Sequence, residues 1–209
     1  MSNLQFFDLG GSSMPEPGSL FYGLLPIGSD APAGAGGNFE AISTVTVTST
    51  FGAANIEFVD IPQGYAHLQI RIVARHMGPG YSTVLNLRFN GNNGTYASHA
   101  LTGDGTKTNA VAFVNENKIN VGEFPGFDEI ENVFGVSVID VLDYASTSKN
   151  TTIRAISGKD KNGAVGYVRL DSGMWDNTSA VTSISLPVAG GQKWDKFSTF
   201  ALYGIGGAA

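Results

Sequence analysis

The chain has 209 residues, of which 42% are hydrophobic and only 14% charged, with a formal net charge of −6. It is long enough for one sizeable core, and its charged fraction lies well below the roughly 25% of average proteins. The absence of cysteine excludes disulfides, thiolate metal sites and a Cys nucleophile, and no apolar run approaches the roughly 18 residues of a membrane-spanning helix.

Charge is unevenly placed. The first Lys or Arg is Arg71, preceded by six carboxylates: Asp8, Glu16, Asp30, Glu40, Glu57 and Asp60. The cation-free N-terminus predicts no secretory or transit peptide. Without a basic stripe, the chain is expected to bind neither nucleic acid nor an anionic membrane surface.

Residues 1–41 read as an extended N-terminal arm and 42–209 as the folded body. The arm holds eight Gly and four Pro and ends in the linker Ala31-Pro-Ala-Gly-Ala-Gly-Gly37. Disordered tails are normally poor in aromatics, yet this one carries Phe6, Phe7, Leu9, Leu20, Phe21, Tyr22, Leu24 and Leu25. Those side chains either tuck onto the chain's own body or dock onto another subunit. Ordering the arm would cost roughly 40–80 kcal/mol, against about 14–27 kcal/mol from burying its large apolar side chains. An ordered arm therefore needs backbone pairing as well, most simply on a neighbour's sheet edge.

The body shows a period of two. In 67–75, Leu68, Ile70, Ile72 and Ala74 share one face while Gln69, Arg71 and Arg75 take the other, with Val73 the exception. In 84–90, Leu85, Leu87 and Phe89 alternate with Asn86, Arg88 and Asn90. Further strands are predicted over 43–50, 54–60, 95–101, 109–119, 133–142, 150–157, 164–174, 180–187 and 196–205. Turn signals separate them, among them Gly78-Pro-Gly80, Asn90-Gly91, Gly103-Asp-Gly105 and Gly190-Gly191. Only Pro125–Glu131 offers a helical turn. The pattern predicts an all-β, jelly-roll-like antiparallel β-sandwich.

Chemistry-bearing constellations are sparse. His67, His76 and His99 have no metal-ligand spacing. No Gly-x-Ser-x-Gly elbow or phosphate-binding glycine loop occurs, so no catalytic, cofactor or metal residues are assigned. The carboxylates Glu123, Asp128, Glu129 and Glu131 read as a solvated acidic loop rather than the facing pair a glycosidase needs. Asp160-Lys-Asn-Gly163 reads as a hairpin turn rather than a calcium loop. Trp175 and Trp194, with Tyr81 and Tyr96, are candidate glycan contacts, although core or interface positions suit them better.

Several segments carry a resemblance: Tyr65-Ala-His-Leu-Gln-Ile-Arg71, Leu87-Arg-Phe-Asn-Gly91, Tyr96-Ala-Ser-His99, 139–149, Ile153-Arg-Ala-Ile-Ser-Gly158, Ser172-Gly-Met-Trp175 and 197–205. Together they resemble a β-sandwich domain of tailed-bacteriophage virion proteins, found in head decoration (cement) proteins, tail fibres and receptor-binding tips. The resemblance covers roughly 40–205 and implies a homotrimer with no enzymatic residues. The expected role is a capsid decoration protein, assembled in the bacterial host cytoplasm and fixed by its arm to the major capsid protein. The alternative is a tail fibre or baseplate adhesin, held by tail proteins and binding host surface glycan. No cofactor is implied.

Overall fold

The computed structural model describes residues 39–91, 94–160 and 166–207. Twelve strands form two antiparallel sheets packed as a sandwich. The larger sheet has the order β1-β12-β3-β8-β9-β10-β5-β6, with β1 Phe39–Thr46, β3 Tyr65–Ala74, β5 Tyr96–Gly103, β6 Thr108–Glu116, β8 Gly135–Leu142, β9 Thr151–Lys159, β10 Tyr167–Trp175 and β12 Thr199–Gly207. The smaller has the order β2-β11-β4-β7, with β2 Glu57–Phe58, β4 Ser82–Phe89, β7 Ile119–Pro125 and β11 Ile184–Ser185.

The period-two pattern of β3 behaves as its sequence predicts. Leu68, Ile70, Ile72 and Ala74 are buried, and Val73 stands outward. They meet Leu85, Leu87 and Phe89 of β4 and Ile119, Val121 and Phe124 of β7 in one core. Asn90 and Gly91 both take positive φ, 52° and 60°, the backbone of an Asn-Gly turn, but β4 and β5 lie in different sheets, so the pair does not close a two-stranded hairpin.

Three expectations need correction. The first body strand begins at Phe39 rather than 43, pairing with β12 through Phe39↔Ile205. Residues 119–125, placed outside any strand beyond 119, form β7. No helix forms over 125–131; Glu129 N–H bonds to Gly126 O and Val133 N–H to Ile130 O, closing two separate turns.

Trp175 and Trp194 are 1% and 0% exposed, so neither offers a face to a glycan. Trp175 packs between Phe89 and Tyr96, with ring centroids 5.6 and 6.3 Å away. Trp194 meets Phe124 and Phe200 edge-on and donates its indole N–H to Leu186 O at 2.7 Å. Burial of both large rings explains their positions without a ligand. Tyr96 is also buried, while Tyr81 is exposed.

Candidate functional site

The arm residues Phe6, Phe7, Leu9, Leu20, Phe21, Tyr22, Leu24 and Leu25 lie outside the described residues. Within the body, the unusual chemistry gathers where β9 and β10 reverse the ordinary polarity of a sandwich. Trp175 and Gly173 of β10 face inward, so the strict alternation of a strand also turns Asp171 and Arg169 inward and Leu170 and Val168 outward. Ile153 sets the same phase on β9, which turns Ser157 and Lys159 inward and Ile156 outward. Charges go inside and apolar side chains outside at one end of the sheet.

The inward charges are partnered. Arg169 Nε donates to Asp171 Oδ1 at 2.7 Å, and Gly122 N–H donates to Asp171 Oδ2 at 3.0 Å. Burial pushes the Asp171 carboxyl above its usual range, with Arg169 opposing that shift. Lys159 Nζ donates to Glu129 Oε1 and to Tyr81 O, both at 2.9 Å. Burial likewise raises the Tyr167 phenol, reinforced by the charge of Glu123.

The carboxylates read as a solvated acidic loop are therefore largely structural. Arg75 reaches into that loop and donates to the carbonyls of Phe127, Glu129, Ile130 and Val133 at 2.8–3.2 Å. Asp128 accepts from Gly80 N–H at 2.7 Å and Glu123 from the Ser82 hydroxyl. Asp128 and Glu131 are exposed, as a solvated loop requires, whereas Glu123 is half-buried and Glu129 buried.

His76 sits behind this loop, fully buried, with neither ring nitrogen hydrogen-bonded among the described residues. A Cβ on Gly126 would fall 2.3 Å from its Cε1, so only glycine lets the loop lie against the ring. Burial, assisted by Arg75 and Lys159, lowers its pKa to about 4. His67 accepts a hydrogen bond from Asp143 N–H at Nδ1, and His99 stands on the outer face of β5. Among the described residues no three His, Asp or Glu side chains come together as metal ligands would.

Two surfaces remain for a partner. The first is a cleft of about 500 Å³ lined by Arg169, Tyr167, Asn109, Glu123, Asp104 and Lys107 among others. On its rim, hydrogen bonds from Thr106 and Lys107 hold the Asp104 carboxyl down at about 2.

The second is the outer face of the large sheet. Unshifted register aligns Val138, Ile156, Leu170, Leu101 and Ala110 in one row across β8, β9, β10, β5 and β6. Val136 and Val168 stand in the next row. Ile156, Leu170, Leu101, Val136 and Val168 are each between 51% and 62% exposed. Asp140, Arg154, Ser172 and His99 form a polar row on the other side. A hollow of about 430 Å³ lies over Leu101, Leu170, Ala110 and Ala112. Exposed apolar patches rimmed by polar groups are typical of interaction sites and ligand-binding grooves. The polarity reversal that creates it was missed because the alternation of β9 and β10, read alone, fits either face.

No family model, curated protein or solved structure matches this chain. The described body is a β-sandwich by its own geometry, and its role is argued from its surfaces.

Proposed function

We propose that this chain is a structural subunit of a tailed-bacteriophage virion, serving as a decoration protein that binds the assembled head and stabilises it. The observation that carries the reading is the apolar row Val138–Ile156–Leu170–Leu101 on the outer face of the large sheet. It is a surface fitted for packing against another protein rather than for enclosing a small substrate. The virion assignment adds the segment resemblance to that surface, and the aromatic arm supplies a second point of attachment. Stabilisation would work by mass action, since a subunit that binds only the assembled shell shifts the equilibrium toward it, with avidity from many copies on one lattice.

One observation favours the second reading, an adhesin for host glycan. The cleft around Tyr167, Arg169, Asp104, Asn109 and Glu123 offers an aromatic ring with planar donors and acceptors, a lining suited to a polyhydroxyl ligand, in place of Trp175 and Trp194. Copy number in purified particles, by quantitative mass spectrometry against the major shell protein, separates the two. Hundreds of copies support decoration, a few to a few dozen support the adhesin, and absence from particles overturns both.

A further inference from the structure

We infer that the cleft between the turns at 130–133 and 195–198 is a binding site for a neutral sugar ring, with Phe127 and Phe197 as its aromatic walls. It shares no lining residue with the cleft around Tyr167, and its occupancy does not depend on whether the chain sits on the head or the tail.

The cleft is built on one buried residue just past the end of β3. Arg75 holds each of the two turns at both of its ends. Its guanidinium donates to Ile130 O and Val133 O, the first and last residues of the turn closed by Val133 N–H on Ile130 O. Its carbonyl accepts from Asp195 N–H and from the Ser198 hydroxyl, the first and last residues of the turn closed by Ser198 N–H on Asp195 O.

The two turns share a feature. The third residue of each, Asn132 and Phe197, takes positive φ, 65° and 73°. A turn with positive φ at that position calls for glycine or asparagine. Asn132 meets the rule and Phe197 breaks it. A bulky residue held in this conformation is an outlier, and such strain gathers at ligand clamps and other functional positions. Packing does not account for it, because Phe197 is 66% exposed, as Phe127 is 71% exposed. Both rings border a cleft of about 300 Å³ with Arg75, Glu131, Asn132, Asp195 and Lys196.

The lining selects the ligand class. Two cations, Arg75 and Lys196, are matched by two carboxylates, Glu131 and Asp195, so the cleft has no net charge with which to draw an ion. Arg75 spends its guanidinium on loop carbonyls, which leaves hydrogen bonding to the others. Asp195 uses Oδ1 on Lys196 N–H at 2.7 Å and keeps further acceptor capacity, while Glu131 and Asn132 stand exposed. An apolar partner would cover these groups without bonding them, at a desolvation cost. A pyranose ring satisfies both halves of the lining. Its flat C–H face lies on an aromatic ring, and its hydroxyls donate to the carboxylates and accept from Asn132 and Lys196. The volume is at the small end of ligand pockets, which suits one ring better than a chain of them.

The test uses the full chain, by calorimetry and saturation-transfer NMR. The probes are neutral methyl glycosides of glucose, galactose, mannose and N-acetylglucosamine, with methyl glucuronide as the acidic comparison and N-acetylphenylalanine amide as the apolar one. At least one neutral glycoside should bind more tightly than either comparison. Phe197→Gly installs the residue its turn prefers, so its thermal midpoint should stay level or rise. The same variant should raise the dissociation constant at least about tenfold, equivalent to about 1.4 kcal/mol. Phe127→Ala should weaken binding likewise, and Tyr167→Ala, in the other cleft, should leave it unchanged.

No binding by any neutral glycoside, or tighter binding of the glucuronide or the amide, would overturn the site. So would Phe197→Gly with wild-type affinity, or with lowered stability, which would make Phe197 a part of the fold. Loss of binding in Tyr167→Ala alone would move the sugar to the other cleft and leave the adhesin reading standing. None of these results touches copy number on particles, so the failure of this site and the failure of the virion reading are separable.

Discussion

The Lys159 ammonium lies 2.9 Å from Glu129 Oε1 with the two side chains only 2% and 1% exposed, tying the inner face of β9 to the loop that wraps Arg75. Removing one partner from a buried pair leaves an uncompensated charge and costs about 3–5 kcal/mol, whereas replacing both by apolar residues of similar volume is often neutral or stabilising. Glu129→Ala should therefore lose about 3–5 kcal/mol in urea unfolding, and Lys159→Met with Glu129→Leu should recover most of it. A double variant as weak as the single one would contradict a merely paired role for these charges.

His76 gives the fold an acid-sensitive side. Its folded pKa of about 4 lies below the ordinary 6.5, so the unfolded chain binds the proton first as pH falls. The contribution is complete above pH 6.5 and is lost progressively toward pH 4, up to about 3 kcal/mol at about 1.4 kcal/mol per pH unit. The raised carboxyl of Asp171 acts in the opposite sense: its folded form binds the proton first, adding stability as pH falls toward its unfolded value of 3.8. Comparing unfolding free energies of wild type and His76→Gln across pH 4–7 isolates the histidine, and the variant should show the flatter dependence.

Gly173 sits at the middle of β10, where a Cβ would come 2.8 Å from Ile119 Cγ2 and 3.1 Å from Ile153 Cγ1. Both neighbours are branched core side chains, so Gly173→Ala overpacks the junction of the two sheets and should cost about 1–3 kcal/mol. Gly190, whose Cβ would meet nothing within 4 Å, provides a comparison in which the strain of its positive φ is the only penalty. Thermal midpoints of the two alanine variants measure the difference.

On the outer face, Leu170→Lys and Leu101→Lys change side chains that already stand in water. Folding stability should move by no more than about 0.5 kcal/mol, as for ordinary surface substitutions. Association with particles should fall sharply. Pelleting assays with purified particles read the second effect, and calorimetry the first.

Much of this architecture was legible in the sequence, because strands such as 68–74 and 85–89 carry apolar residues at every second position and fix their own inner face. β7 escaped because it breaks that rule. Gly122 takes φ 66° inside the strand, Val121 and Gly122 are both buried in succession, and Pro125 reads as a terminator. The reversed polarity of β9 and β10 escaped for a different reason. Ile156 and Leu170 look like core residues and Lys159 and Arg169 like surface ones; only the tertiary anchors at Ile153, Gly173 and Trp175 decide the phase. The role of Glu129 was equally hidden, since its partner Lys159 lies 30 residues away.

Phe39 pairs with Ile205 at the start of β1 and the end of β12, so the described body begins and finishes side by side. Tension applied through those two points acts across the β1–β12 ladder from one end, perpendicular to the strands. The ladder's hydrogen bonds would then part in sequence rather than together. The first bond to go would be at the Phe39 end, where the stacked rings of Phe39 and Tyr203 lie under the Arg71 guanidinium, making that cluster a clasp against peeling.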